Sequence, residues 1–186
     1  MRTRRPSGFT LIEMLVVITM IAILTALVVP KIKQTGIGKV NAAADLLVND
    51  LEMVRTRSMT ARAATRMLFD TGLQQYTGFM DDNGDGVIGQ TAAETAALNG
   101  LQIRKLFDNV QFGRGAAPLL AGYPGATAVT FANSRVDFDD RGLTTPFGTK
   151  GVVYLTYAGS PSVVAAVTVT PGGGIRRWVY KGGAWQ

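Results

Sequence analysis

Glu13 is the single charge in an apolar run that extends from Phe9 to Val29. A charged side chain inside a membrane-length helix costs roughly 2.5–3.5 kcal/mol at the centre and less near an edge. A carboxylate so placed needs a partner, and that need points to assembly with another chain. A second cluster, Asp81-Asp82-Asn83-Gly84-Asp85-Gly86, fits the first half of an EF-hand loop. Asp81, Asn83 and Asp85 could offer oxygens to Ca²⁺, and Gly86 permits the sharp turn. The twelfth position, which should hold a bidentate Glu, is Ala92; Glu94 lies two residues later. The plainer reading is a solvated hairpin loop built on Asn-Gly and Asp-Gly turn chemistry. A third cluster interleaves Arg176, Arg177 and Lys181 with Trp178, Tyr180 and Trp185. Cations among aromatics can grip a nucleic-acid strand through phosphate contact and base stacking. Adjacent strand residues point to opposite faces, however, so at most one of the two arginines reaches a given surface. The plainer reading here is an edge strand guarded by charge, with Trp178 or Tyr180 packed inward.

No catalytic set emerges, and the chain reads as a non-enzyme. The sequence has no His, the commonest general base and metal ligand, and no Cys, so disulfide, thiolate-metal and thiol redox chemistry are absent. Asp139-Asp140 precedes Arg141-Gly142, which is ordinary turn chemistry. The net charge is +6 over 186 residues. Without Arg2, Arg4 and Arg5, 16 basic residues against 13 acidic ones leave +3. A nucleic-acid partner must therefore rest on a local cluster rather than on the total charge.

These residues need elements to hold them. The run Phe9–Val29 has 21 residues, which at about 1.5 Å each make a helix of about 31 Å, the thickness of a bilayer core. Three arginines and no acid precede it, so the N-terminus is expected in the cytoplasm and everything beyond Pro30 on the far side. A secretory signal peptide would have a shorter apolar core and a small-residue cleavage site, whereas Pro30-Lys31-Ile32-Lys33 follows Val29. A plain signal anchor explains the length and the arginines but gives no reason for Glu13. Pro30, Gly36 and Gly38 mark Pro30–Lys39 as a kinked, loosened stretch. Then Val40, Ala44, Leu47, Leu51, Val54 and Ser58 recur at alternating intervals of four and three. They form an apolar stripe on a helix of about 25 residues ending near Arg66, with Asn41, Asp45, Asn49, Asp50, Glu52, Arg55 and Arg57 between them. The stripe is read as packing on the chain's own sheet rather than in a coiled coil. From Met67 the pattern turns to β, with strands expected at 66–69, 75–80, 101–106, 110–112, 128–131, 135–138, 151–157, 162–169 and 175–180.

The segment Gly8-Phe9-Thr10-Leu11-Ile12-Glu13, set directly before a full-length apolar helix, resembles the processing motif of type IV pilins and type II secretion pseudopilins. The resemblance implies that a prepilin peptidase cuts between Gly8 and Phe9 and N-methylates Phe9. Glu13 then becomes the assembly residue, facing the Phe9 amine of a neighbouring subunit. It also implies a type IV pilin-like α+β fold: a long N-terminal α-helix, its first half transmembrane, packed on an antiparallel β-sheet head. The expected organisation is a leader at 1–8, a transmembrane helix at 9–29, a periplasmic helical half with a flexible start at 30–66, and a β-rich head at 67–186. The layout of the head, with its acidic loop and basic last strand, resembles the GspH/FimT-type minor pseudopilins and minor pilins. That implies a structural subunit of the type II secretion pseudopilus, inserted once in the inner membrane, with other pseudopilins as partners. The alternative is a FimT-like minor type IV pilin for pilus assembly or DNA uptake. In that subfamily the DNA-contacting arginines follow a glycine, and Gly174-Ile175-Arg176-Arg177 matches only approximately, its arginines being adjacent. A calcium-tuned adhesion head is a third, weaker option.

Overall fold

The computed structural model describes residues 10–32, 36–98 and 101–186, with the side chains of the first helix described through Leu24. The chain divides after Thr35 into two compact units. The leader arginines, Gly8 and Phe9 lie outside the described residues.

In the first unit, helix α1 takes up Leu11–Ile32 and continues through Pro30. Every described side chain from Thr10 to Leu24 is exposed. Among the described residues no helix is long and apolar enough to cross a membrane; residues 25–29, whose side chains are not described, complete the apolar run in the sequence.

The second unit opens with helix α2, Gly36–Ala61. The expected stripe is its buried face: Val40, Ala44, Leu47, Leu51, Val54 and Ser58 are all buried, joined by Ala43 and Asp50. Burying each of the large aliphatic side chains is worth about 1.5–3 kcal/mol. Asp50 is a correction to the sequence reading, which set it on the polar side. It follows Leu47 by three and precedes Val54 by four, so helical geometry turns it inward. Gly36 and Gly38 belong to the first turn of α2 and not to a loosened stretch. Gly36 is needed there, because a Cβ would come within 2.7 Å of the Tyr157 ring. The helix also ends earlier than expected. Arg62 takes a left-handed conformation (φ 53°), and the Ala63 amide donates to the Ser58 carbonyl at 3.2 Å, a Schellman closure. Arg66 is therefore a strand residue.

Two antiparallel five-stranded sheets follow. The first holds β1 (Thr65–Asp70), β2 (Gln75–Met80), β3 (Ile103–Lys105), β5 (Arg135–Phe138) and β6 (Thr144–Thr145), in the order β3-β2-β1-β5-β6. The second holds β4 (Val110–Phe112), β7 (Gly151–Tyr157), β8 (Ser160–Val169), β9 (Ile175–Lys181) and β10 (Ala184–Trp185), in the order β10-β9-β8-β7-β4. A short helix, α3 (Ala92–Ala97), lies between β2 and β3. α2 packs against strands of both sheets, and its stripe joins Met67, Phe69, Phe138, Val153, Leu155, Ala165 and Val167 in one core. The opposite face of the second sheet has its own small cluster, in which Leu120 covers Val152, Tyr154 and Ala166, with Tyr123, Trp178 and Trp185 at its margin. That is why β7 reads as an unbroken apolar run: it is buried on both faces.

The segment 128–131, expected as a strand, makes a single bridge, Val129 to Val153. Tyr154 donates its amide to the Ala128 carbonyl and Thr130 donates to the Val152 carbonyl. The chain then bends away at Phe131 into a 3₁₀ turn, Ala132–Ser134. The two sheets meet beside the last turns of α2. Arg55 Nε donates to the Gly142 carbonyl at 3.0 Å, and a Cβ on Gly173 (φ 76°) would sit 2.1 Å from that same oxygen.

Candidate functional site

The candidate residues fall into three separate places. Glu13 is in the first turn of α1 and exposed. Thr10 caps that turn: its hydroxyl accepts the Glu13 amide at 3.2 Å and its carbonyl accepts the Met14 amide at 3.2 Å. A carboxylate at this position is favoured by the positive end of the helix dipole. Among the described residues Glu13 has no ion-pair partner.

The acidic loop is held by its own backbone. Asp81 is buried, and its two oxygens accept the amides of Gly84 and Gly86, each at 2.8 Å. Asn83 accepts the Asp85 amide through Oδ1 and donates from Nδ2 to Asp85 Oδ2 at 2.9 Å; Asp85 Oδ1 accepts the Val87 amide at 2.7 Å. Glu94 turns to a different task. Its carboxylate accepts the amides of Thr91 and Gly89, each at 2.8 Å, and closes a capping box at the start of α3. Those bonds, the Thr91 amide foremost, hold its carboxyl below the ordinary range. Among the described residues no group of three or more acidic, His or Cys side chains is arranged to hold a metal ion. The Thr91-x-x-Glu94 pattern is legible in the sequence, and it is the signal the reading of an interrupted EF-hand passed over.

The basic cluster is divided between the two faces of β9. Arg176 points outward with its guanidinium 5.3 Å from the centre of the Trp178 ring. Trp178 donates from Nε1 to Thr168 Oγ1 at 3.1 Å, and Trp185 lies against Tyr180 and Tyr154. Arg177 points to the helix side, where it pairs with Asp45 of α2 at 3.2 Å. Lys181 is exposed on the same side as Arg177. The structure thus separates the two arginines, as their adjacency required.

Two buried ionic groups were not foreseen. The hydroxyl of Tyr76 donates to Asp50 Oδ2 at 2.7 Å, and Arg104 Nη2 donates to Oδ1 at 3.3 Å. Arg104 Nε lies 2.7 Å from Oδ2, but off the line of a hydrogen bond. Burial raises the Asp50 carboxyl, against the opposing pull of Tyr76 and Arg104. Burial foremost, with the facing Asp50, pushes the Tyr76 phenol far up. In the first sheet, Arg66 Nε and Nη2 donate to the two oxygens of Asp137, each at 2.8 Å, and Nη1 donates to the Ile88 carbonyl at 3.1 Å. Arg66 and Asp137 sit directly opposite each other across β1 and β5. Both groups tie elements together, and the Arg66–Asp137 pair also lines an open pocket of about 390 Å³ shared with Asp81 and Asp139.

Residues 3–29 match the family model described as the prokaryotic N-terminal methylation motif. No curated protein matches the chain. Among solved structures, the minor pseudopilin EpsH from the Type 2 Secretion System of Vibrio cholerae is similar over 76% of this chain and 97% of its own, at 12% identity and a TM-score of 0.50. The type IV minor pilin FimU of Pseudomonas aeruginosa, in its P65 crystal form, is similar over 78% and 96%, at 13% identity and a TM-score of 0.50. These likenesses show the fold, an α+β type IV pilin-like arrangement of helix and antiparallel sheets, and the motif marks the N-terminus as of the prepilin type.

Proposed function

We propose that the chain is a minor pseudopilin, a structural and non-catalytic subunit of a type II secretion pseudopilus. The observation that carries this reading is the methylation motif at residues 3–29 in one chain with a head that has the fold of EpsH and FimU. A prepilin peptidase cuts after Gly8 and methylates Phe9. The run 9–29 holds the precursor in the inner membrane, with the leader in the cytoplasm and the head, 67–186, in the periplasm behind the helical segment 30–66. On assembly, Glu13 meets the methylated amine of an adjacent subunit. An exposed carboxylate in the first turn, beside a capping threonine and without an ion-pair partner among the described residues, supports that role. In a low-dielectric bundle such a pair is worth far more than a surface salt bridge. Secretion is preferred to DNA uptake because Arg176 and Arg177 lie on opposite faces of β9, so no single surface presents both.

The test is made in the native host. Mass spectrometry of the assembled protein is expected to show a chain beginning at N-methylated Phe9. Glu13→Ala is expected to leave cleavage intact and to reduce incorporation. Deletion is expected to impair secretion and to spare transformation. An intact precursor as the working form refutes the reading altogether. Lost transformation with secretion intact replaces the secretion role with a FimT-like role in DNA uptake.

A further inference from the structure

We propose that the open edge of β9 takes up an extended, acidic segment of a partner protein as an added strand. In an antiparallel ladder, successive residues turn their N–H and C=O groups alternately to the two neighbouring strands. Two observations set the phase for β9. Val179 exchanges both backbone bonds with Gln186, at 2.9 and 3.0 Å, on the β10 side. The Arg176 carbonyl turns the other way, toward β8, and accepts the Thr168 hydroxyl at 3.3 Å. Odd-numbered residues of β9 therefore face away from β8. The short β10 segment covers Lys181 and Val179. Beyond it, the outward N–H and C=O groups of Arg177 and Ile175 have no strand beside them among the described residues. A strand laid end to end with β10 satisfies both pairs of groups, the backbone device of strand addition.

The side chains select what that strand carries. At the end of β9 that β10 covers, a groove of about 650 Å³ between the start of α2 and β8–β9 reaches the open edge at Arg177, with Ile37, Val163, Val179, Arg177 and Lys181 among its lining. β9 bears Arg176, Arg177 and Lys181 and no acid. The unpaired backbone calls for an extended occupant, the cations for carboxylates, and the apolar groove for small aliphatic side chains between them. Asp45 does not close the site, since its pair with Arg177 is a surface one, 38% and 58% exposed, of a kind worth about 0–1 kcal/mol. An incoming carboxylate can exchange for it. The inference stands whether or not the chain enters a filament.

The test uses the full-length chain in detergent and a fluorescein-labelled peptide of alternating valine and aspartate, with a valine–lysine peptide as control. The aspartate peptide is expected to bind with an affinity that falls as salt rises, and to slow amide exchange at Ile175 and Arg177 about tenfold or more. Amides already bonded to β8, such as those of Arg176 and Trp178, should not change. Arg177→Pro removes an outward N–H together with one of the cations and is expected to weaken binding about tenfold or more, beyond the loss of a single neutral backbone hydrogen bond. Arg176→Glu with Arg177→Glu leaves the ladder intact and is expected to weaken binding at least as much, with the far-UV circular dichroism and the melting midpoint of the fold unchanged. Equal binding of the lysine peptide, or no binding of either peptide, overturns the proposal. So does protection of these two amides by oligothymidylate or phosphatidylglycerol vesicles and not by the aspartate peptide.

Discussion

Replacing Tyr76 by Phe removes one oxygen from a fully buried ring and leaves the rest of the packing in place. That oxygen holds Asp50 Oδ2 at 2.7 Å on the buried face of α2. A hydrogen bond to a charged group is worth about 1.5–3 kcal/mol, against about 1 kcal/mol for a neutral pair. For a unit the size of Gly36–Gln186, each kcal/mol moves the midpoint by about 2–4 °C, so the expected loss at neutral pH is about 3–12 °C. The pH dependence supplies the sharper check. A carboxyl raised in the folded state binds its proton more tightly there than in the unfolded chain. Stability from Asp50 is thus greatest below its ordinary 3.8 and falls as pH rises through the raised folded value. Tyr76 opposes that rise, so its removal lifts the carboxyl further and widens the gap between variant and parent as pH climbs. Below 3.8 the partners are neutral and the loss should shrink to about 2–4 °C. Both tryptophans, Trp178 and Trp185, lie on β9 and β10, so melting followed by their fluorescence reports this unit alone. A loss of the same size at neutral and acid pH, or none at neutral pH, would refute the reasoning.

Arg66→Ala leaves the half-buried Asp137 with only the longer pair to Arg135 at 3.8 Å and is expected to cost about 1–3 kcal/mol in denaturant titrations; Arg66→Met with Asp137→Leu should recover most of it. Gly173→Ala sets a Cβ against the Gly142 carbonyl at a left-handed position and should lower stability by at least about 1–3 kcal/mol, whereas Gly172→Ala, with open space around it, should stay within about 0.5 kcal/mol. Millimolar calcium should leave the melting midpoint unchanged, because both Asp81 oxygens already hold amides; a clear rise would show that the loop opens to bind the ion.

Much of this arrangement is legible in the sequence because two periods govern it. The intervals of four and three from Val40 to Ser58 give the buried face of α2, alternation gives β2 and β5, and a short apolar run, Met67 to Phe69, gives β1. What escaped was decided by contacts distant in sequence or by conformations without a residue signature. α2 stops at an arginine in a left-handed conformation where a glycine would have announced the turn. β6 and β10 are two residues each, too short to show a period. The segment 128–131 has the composition of a strand, but one bridge is all its neighbours permit. The opposed directions of Arg176 and Arg177 follow from strand geometry, whereas the Asp45 partner lies 132 residues away in the sequence. Asp50 was misplaced because its type suggested solvent while its spacing indicated the core.

The junction at Arg55 bears on how this head responds to force. A pull applied at Gly36 along the axis of α2 meets a helix whose buried side is gripped by both sheets and whose Arg55 is bonded to the turn between β5 and β6, against which the turn between β8 and β9 packs. Such loading is shear, in which the contacts along the helix resist together, and the head should yield as a whole and not unzip strand by strand.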